Sequence, residues 1–541
     1  MTGIAKSALI ALALAMASPA EATKYKNVVY YVEWAIYARN FNIFDMDWSK
    51  VTHINYAFGK PTVNNTVAIT DSWASLEKKW PDHGDSTTDS GNNLYGNLGQ
   101  AFKQKLQNRG TKMGLSLGGW SLSDQFSRIA SSTESRKTFV KSAVKLMEDV
   151  GLDFIDIDWE YPVEGGNDIP HSPDDIANLV LLLQDFRDEF KTLPFKAELS
   201  VASPAGPEKY RHWDFPAICG LLDFINIMNY DFSGSFSNYT DHHANLYLDP
   251  NHPPGDKFSA HRAVQDYING GCPSEKIVFG IPAYGHSFEN TTGLYANFSQ
   301  PTNGSWGGLG TWDYKVLPQA GATEYYDEKV GATYSYDPVA KTFISYEGPK
   351  SLAQKLDYIK KYNLGGTMFW VADADLPSTN PRSLITQVYN YFGKENMAFY
   401  DNNLNYPTSQ YDNIRNALTT AAPTTSAAPV TSEVTPAPTS TTTSTDAPVT
   451  TTETPDYPTL PTTTDAPVTT TETPGYPTLP ATTKKAPTTT PKKTTTKAPR
   501  TPKPTKDVCR GKNNVCLVPG TRQSVDYCQT DCEKLSFTWC P

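Results

Sequence analysis

Positive charge is scarce: 47 lysines and arginines stand against 57 acidic residues, leaving a net charge of −10 over 541 residues. That balance disfavours a nucleic-acid partner, because neutralising phosphates needs a basic face. The one dense basic run, around Lys484, Lys485, Lys492, Lys493 and Lys497, lies in a Thr- and Pro-rich stretch and reads as a solvated stalk. Long apolar runs are missing too. The stretch from Ala8 to Ala17, after Lys6, falls short of the roughly 20 residues that a bilayer requires. With Ala20-Glu21-Ala22 behind it, it reads as a secretory signal over residues 1–22. No later segment qualifies as a membrane span, and no apolar tail of the lipid-anchor kind closes the sequence. The expected location is extracellular or in a cell wall, with no transmembrane segment. Cysteine is sparse and uneven: five of the 7, at Cys509, Cys516, Cys528, Cys532 and Cys540, fall within residues 507–541.

Those five imply a small disulfide-stapled module. Their odd number leaves one thiol free, paired elsewhere or bonded to another chain. Tyr527, Phe537 and Trp539 supply either a flat face for sugar rings or the module's own small core. Before it, residues 417–506 are dominated by Thr, Pro, Ala and Ser, and the stretches 446–461 and 465–480 differ only at Asp456 against Gly475. Such composition buries too little apolar area to offset chain entropy, and reads as an O-glycosylated linker. Asn-x-Ser/Thr sites begin at Asn64, Asn238, Asn290, Asn297 and Asn303.

Residues 23–416 hold most of the aromatics and aliphatics. Short β-rich apolar runs recur from Val28, Val51, Met113, Phe154, Ala197, Phe224, Ile277 and Thr367, most of them separated by helix-like stretches such as 134–149 and 173–190. Strands alternating with helices need crossover connections and therefore a parallel sheet. Eight such units predict an α/β fold, a closed (β/α)8 TIM barrel. An open doubly wound sheet is the alternative, but no glycine-rich dinucleotide fingerprint follows the first run. Tyr-, Thr- and Gly-rich residues at about 287–363 interrupt the rhythm after the seventh strand and suggest a small α+β insertion beside the cleft.

The decisive stretch is Asp153-Phe154-Ile155-Asp156-Ile157-Asp158-Trp159-Glu160. Strand alternation would put Asp156, Asp158 and Glu160 on one side, each about 6–7 Å from the next. Carboxylates so placed in a low-dielectric setting repel one another, so at least one keeps a proton near neutral pH. A protonated carboxyl is what general acid cleavage of a glycoside requires. A solvated acidic loop is disfavoured by the interleaved Ile155, Ile157 and Trp159. A calcium loop is disfavoured by the absence of its glycine turn and distal glutamate.

This stretch resembles the DxxDxDxE signature of glycoside hydrolase family 18. Ser116-Leu117-Gly118-Gly119-Trp120, Met228-Asn229-Tyr230-Asp231 and Gly365-Gly366-Thr367-Met368-Phe369-Trp370 resemble the family's motifs on the third, sixth and eighth strands. From Val28 to about Asn416 the chain is similar to fungal, bacterial-type endochitinases. The resemblance implies an endo-acting chitinase, a substrate-assisted retaining reaction on β-1,4-linked N-acetylglucosamine polymers, and no metal or organic cofactor. It assigns Glu160 as proton donor and later base. Asp158 would orient the substrate's acetamide, Tyr230 would bond its carbonyl oxygen, and Asp156 would share a proton with Asp158. It places Gly118, Gly119, Trp120, Ser121, Tyr161, Met228, Asn229, Asp231, Trp370, Trp34 and Tyr284 along the sugar-binding groove. Phe154, Phe236 and His286 depart from the residues usual in relatives, glycine, tryptophan and arginine. A monomer binding chitin and chitooligosaccharides is expected. A non-catalytic chitin lectin and an endo-β-N-acetylglucosaminidase acting on glycoproteins are the alternatives.

Overall fold

The computed structural model of the chain describes residues 24–254 and 258–420, and three short strands further on. The signal segment over 1–22, nearly all of the 417–506 linker and most of the 507–541 module lie outside the described residues.

Eight parallel strands form the centre. In chain order they are Lys26–Val32, His53–Pro61, Lys112–Gly118, Phe154–Asp158, Glu198–Pro204, Phe224–Met228, Ile277–Pro282 and Gly366–Trp370. Each pairs with the next, and the eighth returns to the first from Lys26↔Gly366 to Val29↔Phe369, so the sheet closes on itself. The strands are buried almost throughout because one face lines the barrel and the other carries the crossovers. Helix Thr133–Asp149 begins where Ser132 accepts the Ser135 amide at 3.1 Å, and buries Phe139, Val140, Ala143, Val144 and Met147 at helical spacing. Helix Asp175–Phe190 does the same with Ile176, Leu179, Leu183, Phe186 and Phe190.

The first crossover contains 3-10 turns rather than an α-helix. Ile43, Met46 and Trp48 are buried there, with the Trp48 indole N–H donating to the Ile43 carbonyl at 2.9 Å. Helix Leu384–Phe392 reaches the first strand instead: the Asn27 amide donates to the Ile385 carbonyl at 3.2 Å.

The insertion starts at Tyr284, slightly earlier than expected. Strands Tyr284–Phe288, Thr311–Asp313, Thr323–Asp327, Ala332–Asp337 and Thr342–Tyr346 build a five-stranded antiparallel sheet. Cross-strand aromatics hold it: Tyr334 stacks on Tyr325 at 5.1 Å and on Phe343 at 5.0 Å. The helix within the expected range, Pro349–Lys361, is the crossover that returns to the eighth strand. Near the C-terminus, Val515–Leu517 pairs antiparallel with Ser524–Val525 and with Thr538–Cys540.

The segment similar to fungal endochitinases beyond the barrel folds back onto it. The buried Lys105 ammonium bonds Asp153 at 2.9 Å and the Tyr406 hydroxyl at 2.9 Å, while Asn413 exchanges two hydrogen bonds with the backbone of Leu94. Cys219 and Cys272, whose partnership the sequence did not reveal, form a buried disulfide across 53 residues. It ties helix Phe215–Leu221 to the turn after helix Ala260–Asn269. Replacing both cysteines by alanine is expected to cost about 2–4 kcal/mol, measured by denaturant unfolding against the wild type. No helix among the described residues is long and apolar enough to cross a membrane.

Candidate active site

Because all eight strands run parallel, the residues that end them share one face of the barrel. Phe154, Asp156 and Asp158 alternate inward along the fourth strand. The Phe154 ring forms part of the floor, with centroids 5.6 Å from His53 and 6.0 Å from Phe224. Gly114 on the third strand makes the room: a Cβ there would stand 2.3 Å from that ring. Bulk at the position that departs from the family pattern is thus matched by a neighbour without a side chain.

Asp156 is fully buried and saturated. It accepts from the Tyr30 hydroxyl at 2.8 Å, Ser116 at 2.8 Å, Ser200 at 2.6 Å and the Asn226 amide at 3.4 Å. Burial raises its carboxyl above the ordinary range, and these bonds oppose the rise. Asp158 is 3% exposed, and its Oδ1 meets no hydrogen-bond partner among the described residues. Burial, then the charges of Glu160 and Asp156, push its carboxyl well above the usual range.

Glu160 reaches the site differently from the expected alternation. The strand ends at Asp158, whose carbonyl accepts the Gly119 amide at 2.7 Å. Glu160 follows in a bend, where its amide donates to Ser123 Oγ at 3.0 Å and the Ser123 hydroxyl donates to the Gly119 carbonyl at 2.9 Å. The loop after the third strand therefore sets the backbone of Glu160. Burial pushes its carboxyl up to about 7; a bond from Tyr161 opposes this, and the charge of Asp231 adds to it.

Gly118 and Gly119 have φ of +104° and +81°. A Cβ at Gly118 would lie 2.3 Å from the Asp158 carbonyl oxygen, and one at Gly119 2.7 Å from the Phe58 ring. Their place is the close approach of the third and fourth strands. Trp120, 41% exposed, and Ser121, also exposed, stand beyond them.

Along the far wall, the Tyr230 hydroxyl faces Met368 Sδ at 3.7 Å, beside half-buried Met228 and buried Asn229. Asp231 adopts a left-handed backbone, φ +59°, and half of its side chain is exposed. Its Oδ1 accepts from the Tyr284 hydroxyl at 2.6 Å and pairs with His286 Nε2 at 2.7 Å. Burial opposes ionisation of Asp231, but His243 and His286 outweigh it and hold the carboxyl well below the usual range. At the end of the eighth strand the Trp370 ring lies nearly parallel to Phe58 at 5.7 Å and tilted against Tyr30 at 5.4 Å. Trp34, in the turn after the first strand, and Tyr161 are both partly buried.

The structure thus brings Asp156, Asp158 and Glu160 together with Tyr161 and Asp231. It leaves Trp120 and Ser121 on the exposed loop. Sequence reasoning missed Tyr30, Ser200 and Asn226 around Asp156, Ser123 behind Glu160, and His243 and His286 beside Asp231 as site residues. For the first three a signal existed: a polar residue at an inward position of an otherwise apolar strand.

Residues 26–375 match the profile of the glycosyl hydrolases family 18. The chain is 44% identical over 400 residues to "Endochitinase 1" of Metarhizium robertsii, covering 73% of this chain and 91% of that protein. It is 41% identical over 424 residues to "Chitinase 1" of Aphanocladium album, covering 76% and 97%. The catalytic domain of psychrophilic chitinase B from Arthrobacter TAD20 superposes with a TM-score of 0.63 at 29% identity, covering 68% of this chain and 95% of that one. The eight-stranded barrel, the acidic strand end and these likenesses agree: the chain belongs to glycosyl hydrolase family 18.

Proposed function

We propose that the chain is an endo-acting chitinase that hydrolyses β-1,4-linked N-acetylglucosamine polymers with retention of configuration. One observation carries this reading. Of the two buried aspartates on the fourth strand, Asp156 is saturated by protein donors, whereas Asp158 has an oxygen that no described group meets. Asp158 is therefore the carboxyl free to accept the N–H of a substrate acetamide.

With a sugar in place, Glu160 gives its proton to the glycosidic oxygen as the bond to the anomeric carbon breaks. The acetamide oxygen closes on that carbon and forms an oxazolinium ring. Asp158 holds the acetamide N–H and balances the positive charge, and the Tyr230 hydroxyl donates to the acetamide oxygen. Asp156 shares the proton that the aspartate pair retains. Glu160, now a carboxylate, takes a proton from water as the water oxygen attacks the anomeric carbon. The ring opens and Glu160 is again protonated. Such substrate-assisted reactions are exceptions to the two-carboxylate scheme. Trp370 would floor the subsite at the scissile bond, with Trp34 and Trp120 extending the groove. The protein would act as a secreted monomer. The Cys219–Cys272 disulfide supports an oxidising compartment, and the Thr/Pro linker suits a tether that keeps the barrel near insoluble polymer.

The test is proton NMR of chitooligosaccharide hydrolysis. The first-formed reducing end is expected as the β anomer, and a cello-oligosaccharide, which lacks the acetamide, is expected to remain uncut. An α anomer first, or equal turnover of both sugars, would overturn the reading. Release of N-glycans from glycoprotein in preference to oligomers from chitin would point to the glycoprotein alternative.

A further inference from the structure

We propose that Asp231, His243 and His286 form a binding site for one zinc ion where the barrel meets the insertion, and that zinc bound there blocks the cleft. The three residues come from separate places. Asp231 follows the sixth barrel strand, His243 lies in the loop beyond it, and His286 is in the insertion strand Tyr284–Phe288. One ligand atom from each lies within 4.8 Å of the other two. His286 Nε2 is 2.7 Å from Asp231 Oδ1, and His243 Nδ1 is 3.8 Å from the same oxygen. Ligands on a tetrahedral zinc stand about 3.3–3.4 Å apart, given Zn–N and Zn–O bonds near 2.0–2.1 Å. Shifts of about 1 Å suffice to reach that geometry.

His243 supplies the independent sign. Its ring is wholly buried, yet neither nitrogen has a hydrogen-bond partner among the described residues. A buried polar group left unmet costs free energy, and such groups in folded proteins call for a reason. Here Nδ1 is turned toward Asp231, 3.8 Å from its Oδ1, and the insertion sheet fixes the His243 backbone, whose amide donates to Ser345 Oγ at 3.0 Å. Two imidazoles and a carboxylate suit a borderline cation and leave a fourth position open. The Tyr284 hydroxyl, 2.6 Å from the same Asp231 Oδ1, would orient the carboxylate.

The blocking effect, unlike the binding, rests on the glycosidase reading. Zinc would withdraw Asp231 from the sugar and set a double positive charge beside Glu160. By linkage, a chitooligosaccharide in the cleft must then weaken zinc binding by the factor with which zinc weakens the oligosaccharide.

The test titrates zinc chloride into the untagged full chain by isothermal calorimetry, with cobalt as a spectroscopic substitute. His243→Phe and His243→Gln are expected to raise the zinc dissociation constant at least about tenfold, with zinc inhibition of each variant referred to its own metal-free turnover of a fluorogenic chitotrioside. Cobalt in the wild type should show d–d bands without a sulfur-to-metal band. Zinc inhibition should weaken in the variants by the same factor as binding. Unchanged zinc affinity in a variant of unaltered Tm, or a thiolate band marking the Cys-rich module as the ligand, would overturn the proposal. Zinc bound at this site without inhibition would overturn only the blocking effect. Calorimetry needs no turnover, so failure of the metal site and failure of the chitinase reading remain distinguishable.

Discussion

Glu160→Gln is expected to lower kcat on soluble chitooligosaccharides by about 10²–10⁴-fold, with little change in KM. The amide has the size of the carboxyl but no proton to give to the leaving oxygen and no base to offer to water. Burial already favours the neutral form of Glu160, so an uncharged replacement should not lower Tm. The wild-type pH profile carries a second signature. The proposed cleavage needs Glu160 protonated, and its carboxyl is pushed up to about 7, so kcat/KM should fall as pH rises through that region. The residual activity of Glu160→Gln should lack that alkaline limb. Wild-type-like turnover in the variant, or a limb that survives the substitution, would remove Glu160 from the role of acid.

The second large effect is expected at Asp158. Asp158→Asn should reduce kcat by about 10²–10³-fold while Tm holds or rises. Asp158 is 3% exposed, has an oxygen without a partner among the described residues, and faces two other carboxyls. Asparagine relieves that repulsion without changing volume, so the fold should lose nothing. The proposed reaction would lose the negative charge that offsets the oxazolinium, and also the acceptor for the acetamide N–H. Activity and stability moving in opposite directions are the mark of a residue kept for chemistry at the expense of the fold. Differential scanning calorimetry beside steady-state kinetics makes the comparison. A variant that loses Tm and activity together would make Asp158 a structural residue.

The carboxylates show how far sequence reading reaches. Alternation along Phe154–Asp158 put Asp156 and Asp158 on one side, and the structure has them there. The strand itself stops at Asp158, where the Gly119 amide donates to its carbonyl, and Glu160 follows in a bend. A one-dimensional period has no means of seeing a bond from another strand. The insertion was legible as a break in the strand–helix rhythm. Its seam with the barrel, where Tyr284 and His286 meet Asp231, was not, because these partners lie 53 and 55 residues apart in sequence.

The order of the strands, the family motifs and the proposal of Glu160 as proton donor came from the sequence alone, since each rests on neighbours within a few positions. The tertiary structure decided which carboxyl is saturated and which is left open. Tyr30, Ser116, Ser200 and Asn226 stand 126, 40, 44 and 70 residues from Asp156; Ser116 and Ser200 reach it as its register partners on the two adjacent strands, and curling of the sheet into a barrel adds Tyr30 and Asn226 from strands further round. The physical reason is that a strand's alternation is local, whereas desolvation and hydrogen bonding are fixed by whatever the closed sheet carries to the same depth.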